Sequence, residues 1–146
     1  MKKILIGALA GLALLWQARA DELNWMTDLP KAQAIAKQEH KLVIMDFTGS
    51  DWCPWCIKLR NEVFSQPEFI KYASKNLVPV EVDFPHKKEQ SAEQKKANAA
   101  LQKKYKIEGL PTVVVLNSAG EKLDELSYEP GGPKAFIDKL EVLKKK

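Results

Sequence analysis

Hydrophobic residues along this chain follow two patterns, spaced three or four residues apart in some segments and continuous over short runs in others. The first pattern predicts amphipathic helices, and the second predicts buried strands. In chain order, the predicted elements are a helix over 30–39, a strand over 42–47, a helix beginning at or beside 53, a helix over 67–75, a strand over 77–84, a helix over 91–105, strands over 111–116 and 121–126, and a helix over 131–143.

The arrangement of these elements predicts the fold class. The strand at 42–47 is apolar at nearly every position, which is typical of a central strand covered by helices on both faces. The strands at 111–116 and 121–126 flank a turn at 117–120 and predict an antiparallel hairpin. Helices and strands alternate before that hairpin, so we expect one α/β domain with a mixed sheet between helices.

Residues 1–20 differ from the rest of the chain. Two lysines precede an uncharged apolar run that ends in Ala18-Arg19-Ala20, the pattern of a secretory signal peptide with its cleavage site. A run of about 13 apolar residues falls short of the roughly 20 needed to span a bilayer, which disfavours an uncleaved anchor. We expect a mature domain over 21–146, without stable membrane association, in the periplasm or secreted.

The formal net charge of +4 comes mainly from this leader. Removing its three basic residues from the total of 23 leaves 20 against 19 acidic residues, a formal charge of +1. Lysine runs such as Lys87-Lys88, Lys95-Lys96 and Lys144 to Lys146 are therefore interpreted as solvated surface. Nucleic-acid binding is not expected.

The two cysteines, Cys53 and Cys56, lie where a buried strand leads into a helix. A disulfide between them closes a short loop, and stabilisation by loop entropy grows with loop length, so a structural role alone is a poor explanation. Unpaired N–H groups at a helix N-terminus favour an anion by about 0.3 to 2 kcal/mol, which favours the reactive thiolate at Cys53. Cys56 lies one turn further on the same face, where it can resolve a mixed disulfide.

Three features resemble the thioredoxin superfamily: two motifs in their context, and the closing hairpin and helix. Trp52-Cys53-x-x-Cys56 follows the strand at 42–47, and Gly109-Leu110-Pro111-Thr112 precedes the strand of the hairpin. The likeness covers about Pro30 to Leu143 and implies a thioredoxin-like fold that ends in a β-hairpin and a helix. The segment from Phe47 to Cys56 looks more narrowly like exported bacterial thioredoxin-like proteins.

The resemblance also implies roles for residues around the dithiol. Pro111 would be cis and would face the dithiol, and the backbone of Leu110 would pair with an extended substrate chain. Trp52 resembles the family's tryptophan beside the dithiol, and the surface around Trp55 is expected to bias the choice of partner. From the residues alone, a trans Pro111 at a strand start and a core position for Trp52 are the alternatives.

Asp46, at the end of an apolar strand, resembles the buried carboxylate that assists proton transfer from the family's inner thiol, here Cys56. Burial raises the pKa of a carboxyl group, which suits a proton acceptor near neutrality. The alternative is a strand-end residue turned to solvent. Two departures stand out: the segment between Asp46 and Cys53 is one residue longer than in typical thioredoxins, and the strand at 77–84 has no lysine to partner Asp46.

The sequence predicts neither a cofactor nor a metal site. The two histidines, His40 and His86, are expected at the surface. Position 57 is Ile, so the haem-attachment pattern is absent. One cysteine pair supplies only half of a structural zinc site.

The resulting hypothesis is a monomeric thiol-disulfide oxidoreductase that acts on exported proteins through Cys53 and Cys56. Its expected partners are protein thiols and disulfides and an upstream redox partner. A reductase or isomerase is favoured over an oxidase, because no side chain between the cysteines could add a cation beside the thiolate. Two alternatives stay open, a module that carries copper(I) on the two thiolates and a non-catalytic binding protein on the same scaffold.

Overall fold

The computed structural model describes residues 22–146, so the predicted signal peptide lies outside the described residues. The helices are α1 (Leu29–Glu39), α2 (Pro54–Leu59), α3 (Pro67–Asn76), α4 (Ala92–Lys104) and α5 (Gly132–Leu143). The strands are β1 (Leu42–Thr48), β2 (Leu77–Asp83), β3 (Thr112–Leu116) and β4 (Lys122–Leu126). The predicted order of elements is confirmed, with one unpredicted addition, a π-helix over Arg60–Phe64 that continues α2.

The four strands form a mixed sheet in the order β2-β1-β3-β4. Strand β1 pairs with β2 in parallel and with β3 antiparallel, and β3 and β4 form the predicted hairpin. At the outer edge of β2, the backbone of Met26 exchanges hydrogen bonds with Pro79 and Glu81. The predicted α/β class with a mixed sheet is therefore confirmed, and β1 lies at its centre between two neighbours.

Both faces of β1 are buried, which explains its continuous apolar sequence. Leu42 and Ile44 belong to a core cluster with residues of α3 and α5, whereas Val43, Met45 and Phe47 belong to a second cluster with residues of α1. Successive side chains of a strand point to opposite faces. Asp46 therefore lies on the same face as Leu42 and Ile44, which is the face that α2 and the π-helix cover through Leu59 and Val63.

The C-terminal end of β1 leads directly into the cysteine segment. A short turn follows β1, and α2 begins at Pro54, where proline is tolerated because a first-turn N–H has no helical partner. The apolar side chains of Leu59 and Val63 then anchor this helical segment on the sheet. Among the helices of residues 22–146, none is long and apolar enough to cross a membrane.

Candidate active site

Cys53 and Cys56 form a disulfide at the start of α2, with their Cα atoms 5.2 Å apart. Cys53 is the N-cap residue of α2, and its sulfur accepts a hydrogen bond from the backbone N–H of Cys56 at 3.3 Å. The Cys56 sulfur accepts one from the N–H of Gly49 at 3.5 Å. Only 5% of Cys53 and 4% of Cys56 is exposed, so the dithiol is a buried group held by backbone donors.

A tight turn between β1 and α2 fixes the position of Cys53. The N–H groups of Trp52 and Cys53 both donate to the carbonyl of Gly49, at 3.2 and 2.9 Å. A Cβ atom on residue 49 would lie 2.5 Å from Cε2 of the Trp52 indole. Glycine is therefore required at position 49 by the close approach of this ring.

Trp52 is fixed by the loop that follows β2. Its indole Nε1 donates to the carbonyl of Phe84 at 2.7 Å, and its ring stacks on His86 with centroids 4.3 Å apart and planes 4° from parallel. Trp52 nevertheless remains 40% exposed, so the alternative of a core position is wrong. His86 is at the surface as expected, yet it lies beside the dithiol tryptophan, which its position in the sequence gave no reason to expect.

Asp51 also binds the loop that follows β2. Its carboxylate accepts hydrogen bonds from the N–H groups of His86, Lys87 and Lys88, at 2.9, 2.7 and 2.9 Å. These bonds, that of His86 first, lower the pKa of Asp51 to about 2. From the sequence, Ser50 and Asp51 are good N-cap candidates for a helix that begins at or beside Cys53. That prediction is wrong, because Cys53 itself is the N-cap of α2.

An open groove is bordered by Trp55, which lies between the two cysteines in the chain. It has a volume of about 380 Å³ and is lined by Trp55, Leu110, Pro111, Ser127, Tyr128 and Pro130. The Leu110–Pro111 peptide bond is cis, which confirms the expectation. Trp55 is 56% exposed and packs its ring on Tyr128 at 5.3 Å, while the Lys58 ammonium group lies over both rings. We call this feature the groove.

Asp46 is buried and turned away from solvent, so the solvent-facing alternative is wrong. Among residues 22–146, its Oδ1 is a buried side-chain oxygen without a hydrogen-bond partner. The pKa of Asp46 is raised to about 7, mainly because the group is buried; the charges of Glu81 and Asp83 contribute to the rise, and the charge of Arg60 opposes it. A carboxyl group with this pKa exchanges protons near neutrality, which is the property required of a general acid or base.

The cation near Asp46 comes from a residue that the sequence reading missed. The Arg60 guanidinium donates from Nη2 to Oε1 of Glu81 at 2.9 Å, and Glu81 is the β2 residue paired with Asp46. Two sequence signals point to this pair: Glu81 is the single charged residue within 77–82, and Arg60 lies four positions after Cys56. Nothing comparable in the sequence indicates the contacts of Tyr128 with Trp55 or of His86 with Trp52.

The residues described here do not form a multi-ligand metal site. Within 22–146, no group of three or more His, Cys, Asp and Glu side chains is arranged to hold a metal ion.

Comparison with known proteins places this geometry in a family. A family model described as a thioredoxin-like domain matches residues 29–141. The disulfide bond reductase DsbH of Chlamydia pneumoniae is 40% identical over 121 residues, which are 83% of this chain and 72% of that protein. A solved DsbH oxidoreductase structure is 39% identical with a TM-score of 0.80, and the match covers 90% of this chain and 92% of that one.

A second solved structure shares the fold at lower identity. The oxidised C-terminal domain of DsbD from Neisseria meningitidis is 26% identical with a TM-score of 0.60, over 82% of this chain and 98% of that one. Each of these matches spans the strand, the turn and the helix that carry Cys53 and Cys56. The chain therefore belongs to the thioredoxin-like domain family and is a thiol-disulfide oxidoreductase.

Proposed function

We propose that this protein is a disulfide reductase that delivers two electrons from Cys53 and Cys56 to disulfides of exported proteins. The observation that carries the proposal is the geometry of the dithiol. Cys53 caps α2 and accepts the N–H of Cys56, which favours its thiolate, and Cys56 follows one turn into the same helix. The similarity to a protein named as a disulfide bond reductase supports this direction of electron flow.

The reaction has two exchange steps. The Cys53 thiolate attacks one sulfur of the substrate disulfide, the substrate S–S bond breaks, and one substrate sulfur leaves as a thiolate. Cys56 then loses its proton and attacks the Cys53 sulfur, which breaks the mixed disulfide and releases the second substrate thiolate. The protein is left with the Cys53–Cys56 disulfide, and a dithiol donor must reduce it before another cycle.

Asp46 is proposed as the acceptor of the Cys56 proton. It lies on the face of β1 that α2 covers, and a pKa of about 7 is close to the ordinary thiol value of about 8.5. Proton transfer between groups of similar pKa has a small free-energy difference, so Asp46 can take the proton and later release it. A carboxylate with an ordinary pKa would be a much weaker base.

The groove is proposed as the binding site for the substrate chain. Its lining is mainly apolar and aromatic and includes Trp55, two residues after Cys53, and we expect the backbone of Leu110, before the cis peptide bond, to pair with an extended segment. The exposed Trp55 ring adds apolar contact area, and rigid aromatic side chains bind partners with a small loss of conformational entropy.

The reduction potential of the dithiol tests this direction of electron flow. Mature protein is equilibrated with glutathione buffers, and Cys56→Ala is the control that should trap a mixed disulfide on Cys53. A value near or below about −250 mV is expected of a reductase fed by an upstream donor. A value above about −180 mV would contradict the reductase direction, and failure of the wild type to exchange at all would contradict the enzymatic function.

Export is part of the same proposal. The leader over 1–20 supports it, and N-terminal sequencing of the protein recovered from a bacterial periplasm should read from Asp21. A mature protein that keeps its leader would contradict cleavage. Light scattering of the same sample should give the mass of a monomer.

A further inference from the structure

The surroundings of Asp46 contain an ion pair that ties the helix of the inner cysteine to the sheet. Arg60 follows Cys56 by four residues, and its backbone N–H donates to the Cys56 carbonyl, so both residues lie on one face of the helical segment. The Arg60 side chain reaches Glu81 at 2.9 Å. Glu81 is the register partner of Asp46 in the parallel pair of β1 and β2, so their side chains project from the same face of the sheet.

This ion pair borders a cleft that leads toward Asp46. The cleft has a volume of about 510 Å³, and its lining includes Asp46, Arg60, Glu81 and Lys88 together with Trp25 and residues of the adjoining segments. A polar space of this size admits water. Asp46 is among the residues that line this cleft, and its Oδ1 has no hydrogen-bond partner within 22–146.

The two members of the ion pair act on Asp46 with opposite sign. After burial, Glu81 is the strongest influence that raises the pKa of Asp46, and Arg60 lowers it. Asp83 raises it less, and the Asp83 carboxylate is bound to Ser50. The two remaining charged groups that line the cleft are Lys88, whose ammonium group donates to the Ser50 hydroxyl, and Glu22.

We propose that Arg60 and Glu81 are positioning residues for proton transfer at Asp46. Glu81 keeps Asp46 a base strong enough to take the Cys56 proton, and Arg60 keeps it ionised for part of the time so that it can accept one. The inference rests on the proposed function, because it takes Cys56 as the thiol that resolves the mixed disulfide.

In that step, the proton moves from the Cys56 sulfur to the Asp46 carboxylate. The freed electron pair on the Cys56 sulfur forms the bond to Cys53, and the bond between Cys53 and the substrate sulfur breaks. The substrate leaves as a thiolate. Asp46 then returns its proton to water in the cleft, past the Arg60–Glu81 pair.

Titration of Asp46 in Glu81→Gln and Arg60→Gln tests the proposal. The carboxyl carbons are observed by ¹³C NMR in the oxidised protein, where the cysteines do not titrate, and Asp46→Asn assigns the signal. The midpoint of the wild type is expected near 7. It should fall by about one pH unit in Glu81→Gln and rise by a similar amount in Arg60→Gln.

Opposite shifts separate this role from a merely structural one. Either substitution removes the same ion pair, so a structural effect would move both midpoints in one direction or leave both unchanged, and that result would overturn the proposal. Asp138→Asn, which removes an exposed ion pair with Lys134 on α5, is the matched control and should leave the Asp46 midpoint unchanged.

The rate of mixed-disulfide resolution supplies a second readout. Its pH profile should move to lower pH in Glu81→Gln and to higher pH in Arg60→Gln, in parallel with the NMR midpoints. If the wild type exchanges normally but the midpoints of the two variants do not shift in opposite directions, this inference is overturned and the proposed function is not. A wild type that does not exchange would contradict the proposed function, and the step that the pair is proposed to serve would fall with it.

Discussion

The two sides of the dithiol differ in burial and in hydrogen bonding. On one side, which we call the anchored side, Asp46 is buried, Gly49 donates to the Cys56 sulfur, and Trp52 is bonded to Phe84. On the other side, the groove leaves Trp55 more than half exposed. Hydrogen bonds hold the backbone and side chains of the anchored side in place, whereas the groove leaves apolar surface exposed, where we propose that a partner binds.

This difference predicts that substitutions on the anchored side change the free energy of unfolding, and that substitutions in the groove change binding. Surface substitutions usually alter stability by less than about 0.5 kcal/mol, whereas a buried charge or a filled close contact alters it by several times as much.

Asp46→Asn should remove the part of the pH dependence of the free energy of unfolding that comes from the Asp46 carboxyl group. The pKa of Asp46 is raised from 3.8 to about 7 in the folded protein, so the folded state binds more protons than the unfolded state over this range. Stability therefore falls as pH rises from about 4 to about 7, by up to about 4 kcal/mol. Urea unfolding of oxidised wild type and variant at pH 4 and pH 8 should show this difference only in the wild type.

The comparison across pH is the control for Asp46→Asn, because a buried amide alters stability at every pH. A gap between wild type and variant that is the same at pH 4 and pH 8 would show that Asp46 does not titrate in this range.

Gly49→Ala should destabilise the protein by about 1 to 3 kcal/mol, as overpacking of a close contact does. The new Cβ would lie 2.5 Å from the Trp52 ring, and the bond to Phe84 and the stacking on His86 prevent the ring from yielding freely. Gly109→Ala is the matched control, since a Cβ there has no neighbour within 4 Å. Equal urea midpoints for the two variants would contradict the close packing of Trp52.

Trp52→Phe should cost about 1 kcal/mol, the typical net contribution of one hydrogen bond. The variant keeps an aromatic ring to stack on His86 but loses the Nε1 donor to the Phe84 carbonyl. Trp55→Phe makes the same chemical change in the groove, where the indole packs on Tyr128, and should leave the free energy of unfolding within about 0.5 kcal/mol of the wild type. A larger loss for Trp55→Phe would reverse the assignment of the two sides.

Trp55→Ala should raise KM for a protein disulfide about tenfold, equivalent to about 1.4 kcal/mol of lost binding. The rate with a small disulfide should stay the same, because such a substrate reaches Cys53 without filling the groove. Kinetics with reduced variant and both substrates measure the split. An equal loss of rate with both substrates would mean that Trp55 acts on the dithiol and not on the partner.

Much of the fold was predictable because its elements follow from local sequence patterns. The continuous apolar sequence of β1 indicated a strand buried on both faces, and core clusters on both faces confirm this. Ser91 followed three residues later by Gln94 is a sequence pattern typical of a helix start, and in the structure the Ser91 hydroxyl accepts a hydrogen bond from the Gln94 N–H at the start of α4. The π-helix over Arg60–Phe64 was not predictable, because its sequence continues the helical pattern of α2 without a break.

The sequence predicted only those features of the site that depend on residues close together in the chain. Cys53 and Cys56 and their place between strand and helix follow from spacing, because residues three apart on a helix share a face. The three N–H donors of Asp51 and the stacking of His86 on Trp52 join residues more than thirty positions apart. The spacing of hydrophobic residues does not indicate contacts between residues so far apart in the chain. From the sequence alone, Asp51 was therefore interpreted as an N-cap candidate of α2.

By itself, the sequence determined the order of elements, the mixed sheet and the dithiol at the start of α2, since these depend on hydrophobic period, turn residues and local spacing. Only the tertiary structure decided the environment of the sulfurs and of Asp46. Strand pairing brings Glu81 beside Asp46, and the packing of the helical segment brings Arg60 to Glu81, where its charge acts on Asp46. Burial and the charges of distant residues set the pKa of a carboxyl group, and both exist only once the chain has folded.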